Sequence, residues 1–176
     1  MAQNSKDQLI MELSIKAISL YSAVILAGLS AGFFLAWQVS VIPGNKQIPD
    51  ISYLQSMQSI NRAILNPVFF VVFFGAMIAL GMASYYELDN GKLLFRITLA
   101  AFIAYAIGTF GVTALGNVPL NNELDTLNIA ELSAQKASTF RKQYESNWNK
   151  LHLIRTGFAL VSFLLMTLVI FIESNK

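Results

Sequence analysis

Four apolar stretches separated by polar ones set the pattern of this chain. Residues 1–16 are mixed, with Lys6, Asp7, Glu12 and Lys16, and no further charge occurs until Lys46. A helix that crosses a bilayer needs roughly 20 apolar residues, so the first span is expected at about residues 17–42. Pro43 and Gly44 are expected to stop it. The stretch is longer than a signal-peptide core and no cleavage signal follows it, so it reads as a retained span. A short loop at 45–51 precedes the amphipathic run YLQSMQSINR from Tyr53 to Arg62, and no charge then occurs as far as Tyr86. The second span is therefore expected at about 60–86. Pro67 falls inside it, where a missing amide and a clash with the carbonyl of Ala63 predict a kink near Asn66, with that side chain turned into the bundle.

The third span is expected at about 94–116, ending in GVTALGNVPLNN (111–122), where Pro119 and three asparagines replace the apolar run. Residues 123–147 form a long polar connection of helical composition that leads straight into a fourth span at about 151–173. The fold class is thus all-α: an integral membrane four-helix bundle with a long, partly helical connection between helices 3 and 4, forming one domain over 1–176. Tyr85 and Tyr86 mark an interface before a polar turn at 87–91. Gly28 and Gly32 form a small-xxx-small pair suited to close helix packing.

Composition sharpens this picture. Hydrophobic residues make up 55% of the chain and charged ones 12%, about half the usual share in soluble domains. The net charge of +2 is scattered, which argues against nucleic-acid binding. There is no cysteine and a single histidine, His152, whereas protein metal sites gather several imidazoles, thiolates or carboxylates. Neither a metal nor another cofactor is expected. The expected partners are the lipid bilayer, a small aromatic ligand, and either a second copy or another membrane subunit. The location expected is a bacterial inner membrane, crossed several times. Lys46, Arg62, Lys136, Arg141, Lys142, Lys150 and Arg155 belong to one side and Lys6, Lys16, Lys92, Arg96 and Lys176 to the other, a balance that leaves orientation undecided.

Four spans put both termini on one side and gather the polar residues at the opposite end. Trp37, Asn61, Asn66, Asn117, Asn121, Asn122, Trp148, Asn149, His152 and Arg155 all reach that level. Tyr144, Trp148, His152 and Arg155 are spaced four, four and three, which puts them on one helical face. An internal echo is also present: SVIPGN matches NVPLNN at two helix ends, and QSINRAIL matches SNWNKLHL at the next helix starts. Such a parallel duplication pairs Asn61 with Asn149 and Arg62 with Lys150, and would place a site on a pseudo-twofold axis.

The motifs SAGFFLAWQVSVIPG, MQSINRAILNPVFF, FGVTALGNVPLNN and SNWNKLHLIRT resemble the four-helix membrane family of unknown function that also contains the fungal anthrone oxygenases. The resemblance implies a four-helix membrane protein that binds a phenolic molecule and oxidises it with dioxygen. On that reading His152 is the catalytic base, as the side chain that titrates near neutrality. Arg155 joins it as a catalytic residue that holds the developing oxyanion. Asn61, Asn66, Asn117, Asn121, Asn122, Trp148, Asn149 and Trp37 line the binding site, the tryptophans stacking on the ligand. The alternative is a scaffold or accessory subunit of a membrane complex, in which the same residues cap helices and satisfy freed carbonyls. A cavity between the helices would separate the first reading from the second, which fills that space with side chains.

Overall fold

The computed structural model describes residues 2–88 and 92–175, with side chains from residue 15 onward. The side chains of Lys6, Asp7 and Glu12 and the tip of the polar turn at 89–91 lie outside the described residues, which are almost all helical and contain no strand. Four helical stretches are long and apolar enough to cross a membrane: Ile15–Asn45, Pro67–Tyr86, Lys92–Asp125 and Ala134–Ser174. They make the chain a multi-pass integral membrane protein. Its lipid-facing surfaces show in the exposed Ile18, Tyr21, Ile25 and Leu29 on one helix and in Val68, Val71 and Ile78 on the next.

The first stretch consists of α1 (Ala2–Ala36), a π-helical turn at Trp37–Val41, and the single turn α2 (Ile42–Asn45). Pro43 and Gly44 therefore do not end it. The Ile42 amide donates five residues back, to the carbonyl of Trp37, and Pro43 falls in the first turn after this wide loop. A proline's missing amide is tolerated there. The same solution recurs in the third stretch, so its expected end near Gly116 is also corrected. After α5 (Lys92–Ile103) come π-helical segments at Ala104–Gly111 and Thr113–Asn117, and the chain then continues through Pro119 as α6 (Val118–Asp125). The Val118 amide donates to the carbonyl of Thr113, and Pro119 again occupies the first turn. The echo between SVIPGN and NVPLNN is thus a shared π-turn followed by an X-Pro helix start.

The elements that follow diverge. α3 (Asp50–Ala63) and α4 (Pro67–Tyr86) are separate helices, so the expected kink is a full break. Asn66 caps α4: its Oδ1 accepts from the Phe69 amide at 3.0 Å and its Nδ2 donates to the carbonyl of Ala63 at 2.9 Å. Both ends of the amide are used locally, which corrects the expectation that Asn66 turns into the bundle. α7 (Ala134–Ser174), in contrast, runs unbroken from the polar connection through the fourth span.

α1 packs against α4 and α7, and α5 with its π-helical continuation packs against the same two. The bundle is four-sided, with the first and third stretches diagonal to each other. Small residues let the helices approach. A Cβ added to Gly108 would lie 2.0 Å from the ring of Phe158, and one on Gly116 would lie 2.9 Å from Leu151, both on α7. Gly28 meets Phe163 in the same way, but Gly32 faces open space, so only half of the small-xxx-small pair is used for packing.

At the polar end, α3 lies across the bundle as a cover. Arg141 fastens it: its guanidinium donates to Asp50, to Glu145 and to the carbonyls of Asn45, Lys46 and Ile48, and stacks 4.4 Å from the Tyr53 ring. Burial raises the pKa of the Tyr53 phenol above its ordinary value, so it stays protonated under the cover. At the other end, Lys16 joins Glu87 at 3.1 Å and Glu173 at 2.5 Å, tying α1, the end of α4 and the end of α7 together.

Candidate functional site

A cavity of about 220 Å³ opens beneath α3, between α1, the α3–α4 break, the third stretch and α7. Trp37, Asn61, Asn121, Asn122, Trp148, His152 and Arg155 are among its walls. Most of the remaining wall is apolar, with Phe33, Phe34, Phe69, Ile60, Ile64 and Val118.

Arg155 is the chemical centre. It is 8% exposed, and its Nε and Nη2 lie 3.1 and 2.9 Å from His152 Nδ1, while Nη1 donates to Thr113 Oγ1 at 3.3 Å. The guanidinium carbon sits 4.7 Å over the Phe34 ring and 5.1 Å over Trp148. Among the described residues no carboxylate forms an ion pair with it; the ion pairs present involve Lys16, Arg62 and Arg141. An isolated buried cation is costly unless it is paired, and each terminal guanidinium nitrogen carries a further N–H. The arrangement can therefore receive an oxyanion.

Partners fix the state of His152. A guanidinium only donates, so Nδ1 must be the accepting nitrogen and Nε2 carries the proton. Nε2 then donates to the carbonyl of Phe34 at 3.1 Å. The ring is fully buried and stacks on Trp148, with centroids 5.0 Å apart and planes 7° from parallel. Both nitrogens are occupied. The lone pair of His152, the residue expected as catalytic base, is directed at Arg155 and orients the guanidinium.

A second network fixes the amides. The indole Nε1 of Trp148 is a donor only, so the atom of Asn121 facing it at 2.8 Å is Oδ1. The Tyr144 hydroxyl donates to the same Oδ1 and accepts from Asn61 Nδ2, each at 3.1 Å. This leaves the NH2 of Asn121 and the carbonyl of Asn61, both on cavity-wall residues, without partners among the described residues. Asn122 stands exposed at the rim. Trp37 packs at a tilt against Trp148, with 5.9 Å between ring centroids, and both line the cavity.

The structure does not bring every expected residue here. Asn66 caps α4, as described above. Asn149 lines a separate shallow depression on the other side of Trp148, and so lacks the position its supposed counterpart Asn61 has. Asn117 lies behind the wall, 1% exposed, donating from Nδ2 to the carbonyl of Trp148 at 3.2 Å. Its Oδ1 is buried without a partner among the described residues, as is Oε1 of Gln38.

Several wall residues were not anticipated. Thr113 and Asp125 lie one and two turns from Asn117 and Asn121 on the same helical face, a spacing that could have found them. Asp125 is the carboxylate of the cavity wall, paired at the mouth with Arg62 at 2.6 Å. The phenylalanines Phe33, Phe34 and Phe69 carry no sequence signal that sets them apart from lipid-facing ones.

Fold and cavity together define a multi-pass membrane helix bundle with an arginine-bearing, ligand-sized chamber at one interface. A family model described as anthrone oxygenase matches residues 66–165, and the chain belongs to that family. The matched region contains Asn121, Trp148, His152 and Arg155, and leaves out Trp37 and Asn61. No curated protein and no solved structure matches.

Proposed function

We propose that the cavity binds a planar phenolic molecule as its oxyanion and carries out its oxygenation by dioxygen, as the family description suggests. The observation that carries this reading is Arg155, a buried cation on the cavity wall that forms no ion pair among the described residues. A ligand oxyanion would complete the pairing that the protein itself omits. Trp37 and Trp148 offer faces for the ring, the NH2 of Asn121 offers a second donor, and the Asn61 carbonyl offers an acceptor for a hydroxyl.

The chemistry follows from the charge. An anthrone-type ring methylene loses a proton, and the electron pair delocalises onto the ring oxygen held by Arg155. Asp125, at the wetter mouth, is the carboxylate placed to take the proton or pass it to water. The carbanion gives one electron to dioxygen, and the radical pair closes a C–O bond to a hydroperoxide. Loss of water then leaves a carbonyl, so that CH2 plus O2 becomes C=O plus H2O. The protein supplies orientation and a fixed positive charge in a site of low polarity, where such charge acts most strongly.

A scaffold would fill this space with side chains, and the open cavity favours the binding reading. The test is oxygen uptake by purified protein supplied with dihydroxyanthrone. Uptake above the spontaneous rate that yields the quinone and is lost in Arg155→Met supports the proposal; an uptake equal in both proteins, or equal to that of buffer, overturns it.

A further inference from the structure

A second hollow of about 260 Å³ lies on the lipid side of the cavity, between α1 and the start of α4. Phe33, Ile64 and Phe69 line both spaces, so the two meet at a common wall. That wall is thin, being little more than the Phe33 and Phe69 rings, whose centroids are 5.7 Å apart. The outer hollow is bordered by Leu29, Val68 and Val72, with Leu29 and Val68 well exposed. Its two polar residues are already engaged: Ser30 bonds the Tyr105 hydroxyl, and Asn66 caps α4. It therefore suits hydrocarbon and offers nothing to a polar group. The helix break at 64–66 produces this opening, because a continuous helix would carry side chains across it.

We propose that the cavity and this groove are one site for an amphiphile: an aromatic head bearing an acidic hydroxyl lies against Arg155, and an alkyl or isoprenoid chain lies in the groove between α1 and α4, the Phe33 and Phe69 rings that touch in the empty protein turning aside to admit it. The inference rests on the head site described above and names the substrate class it serves, a lipid-soluble phenol drawn from the bilayer. A hydrocarbon chain gains little by leaving lipid for an apolar groove. The groove thus acts by permission: it lets a chain-bearing head reach Arg155.

The chain's two tryptophans, Trp37 and Trp148, both line the cavity, so intrinsic fluorescence reports its occupancy. The probes are a hydroxynaphthoquinone and its derivative with an octyl chain beside the hydroxyl, titrated into wild type and into Val68→Phe/Val72→Phe, which fills the groove and replaces no residue of the cavity wall. Each probe partitions equally into the same micelles in both proteins, so the comparison between proteins is free of that effect. Wild type is expected to bind both compounds. The filled variant is expected to bind the chainless one as wild type does and the octyl one at least about tenfold more weakly, through steric exclusion of the chain. Equal binding of the octyl compound by both proteins, or its rejection by wild type, overturns the amphiphile site while leaving the head site standing. Absence of quenching by either compound in wild type removes the head site, and this proposal with it.

Discussion

Replacing Arg155 by methionine distinguishes a charge held for a ligand from a charge held for the fold. Methionine keeps most of the stem but removes the guanidinium, and with it the stacking of the guanidinium carbon over Phe34 and Trp148. His152 Nδ1 then loses its donors, at a cost of about 1–3 kcal/mol for a buried acceptor left unpaired. Thr113 loses one bond but still donates to the carbonyl of Thr109 at 2.7 Å, so its share is small. Against this, an unpaired buried cation disappears, whose effective desolvation penalty is several kcal/mol. The two terms nearly cancel, and thermal unfolding in detergent should show a stability within about 2 kcal/mol of wild type, in either direction. Binding should respond quite differently. A charge-assisted bond is worth about 1.5–3 kcal/mol, so an anionic hydroxynaphthoquinone should bind roughly ten- to a hundredfold more weakly. A variant that unfolds, or that keeps full affinity for the anion, would assign Arg155 a structural role instead.

Other perturbations test separate parts of the account. Gly108→Ala places a methyl group into the Phe158 ring and should cost about 1–3 kcal/mol by overpacking; Phe158→Leu in that background should restore part of the loss in a thermal melt. Asn66→Ala should lower stability by about 0.5–2 kcal/mol through loss of the α4 cap and leave affinity for the chainless probe unchanged in a fluorescence titration. Tyr144→Phe unties Asn61 from Asn121 and should weaken probe binding by a smaller factor than Arg155→Met, read in the same titration. Arg141→Met releases α3, and should speed amide hydrogen exchange in α3 while leaving that of the lower half of α7 unchanged.

The spans were legible because hydropathy in a bilayer is decided by long runs of residues, which one proline or glycine scarcely changes. The helix ends were not legible for the same reason that the site is unusual. Pro43 and Pro119 read as stops, yet each follows a π-turn that moves the hydrogen-bonding register by one residue, and no residue type in WQVSV or TALGN announces such a turn. The face carrying Tyr144, Trp148, His152 and Arg155 was readable from spacing alone. The role of His152 was not, since it depends on a guanidinium three residues away claiming its lone pair. Asn61 and Asn149 looked equivalent in the repeat, but α3 crosses the bundle as a cover while α7 continues through it, and only the first brings its asparagine to the cavity.

Whether Arg155 holds a ligand oxyanion is read from the absorbance spectrum of dihydroxyanthrone bound under anaerobic conditions. With oxygen excluded the ring cannot be consumed, and its anion absorbs at longer wavelength than the neutral ketone. Wild type should show the bound ligand as the anion at a pH where the free compound is neutral, and Arg155→Met should not. A bound spectrum matching the neutral ketone in wild type, or the same anion spectrum in both proteins, would show that Arg155 does not hold an oxyanion.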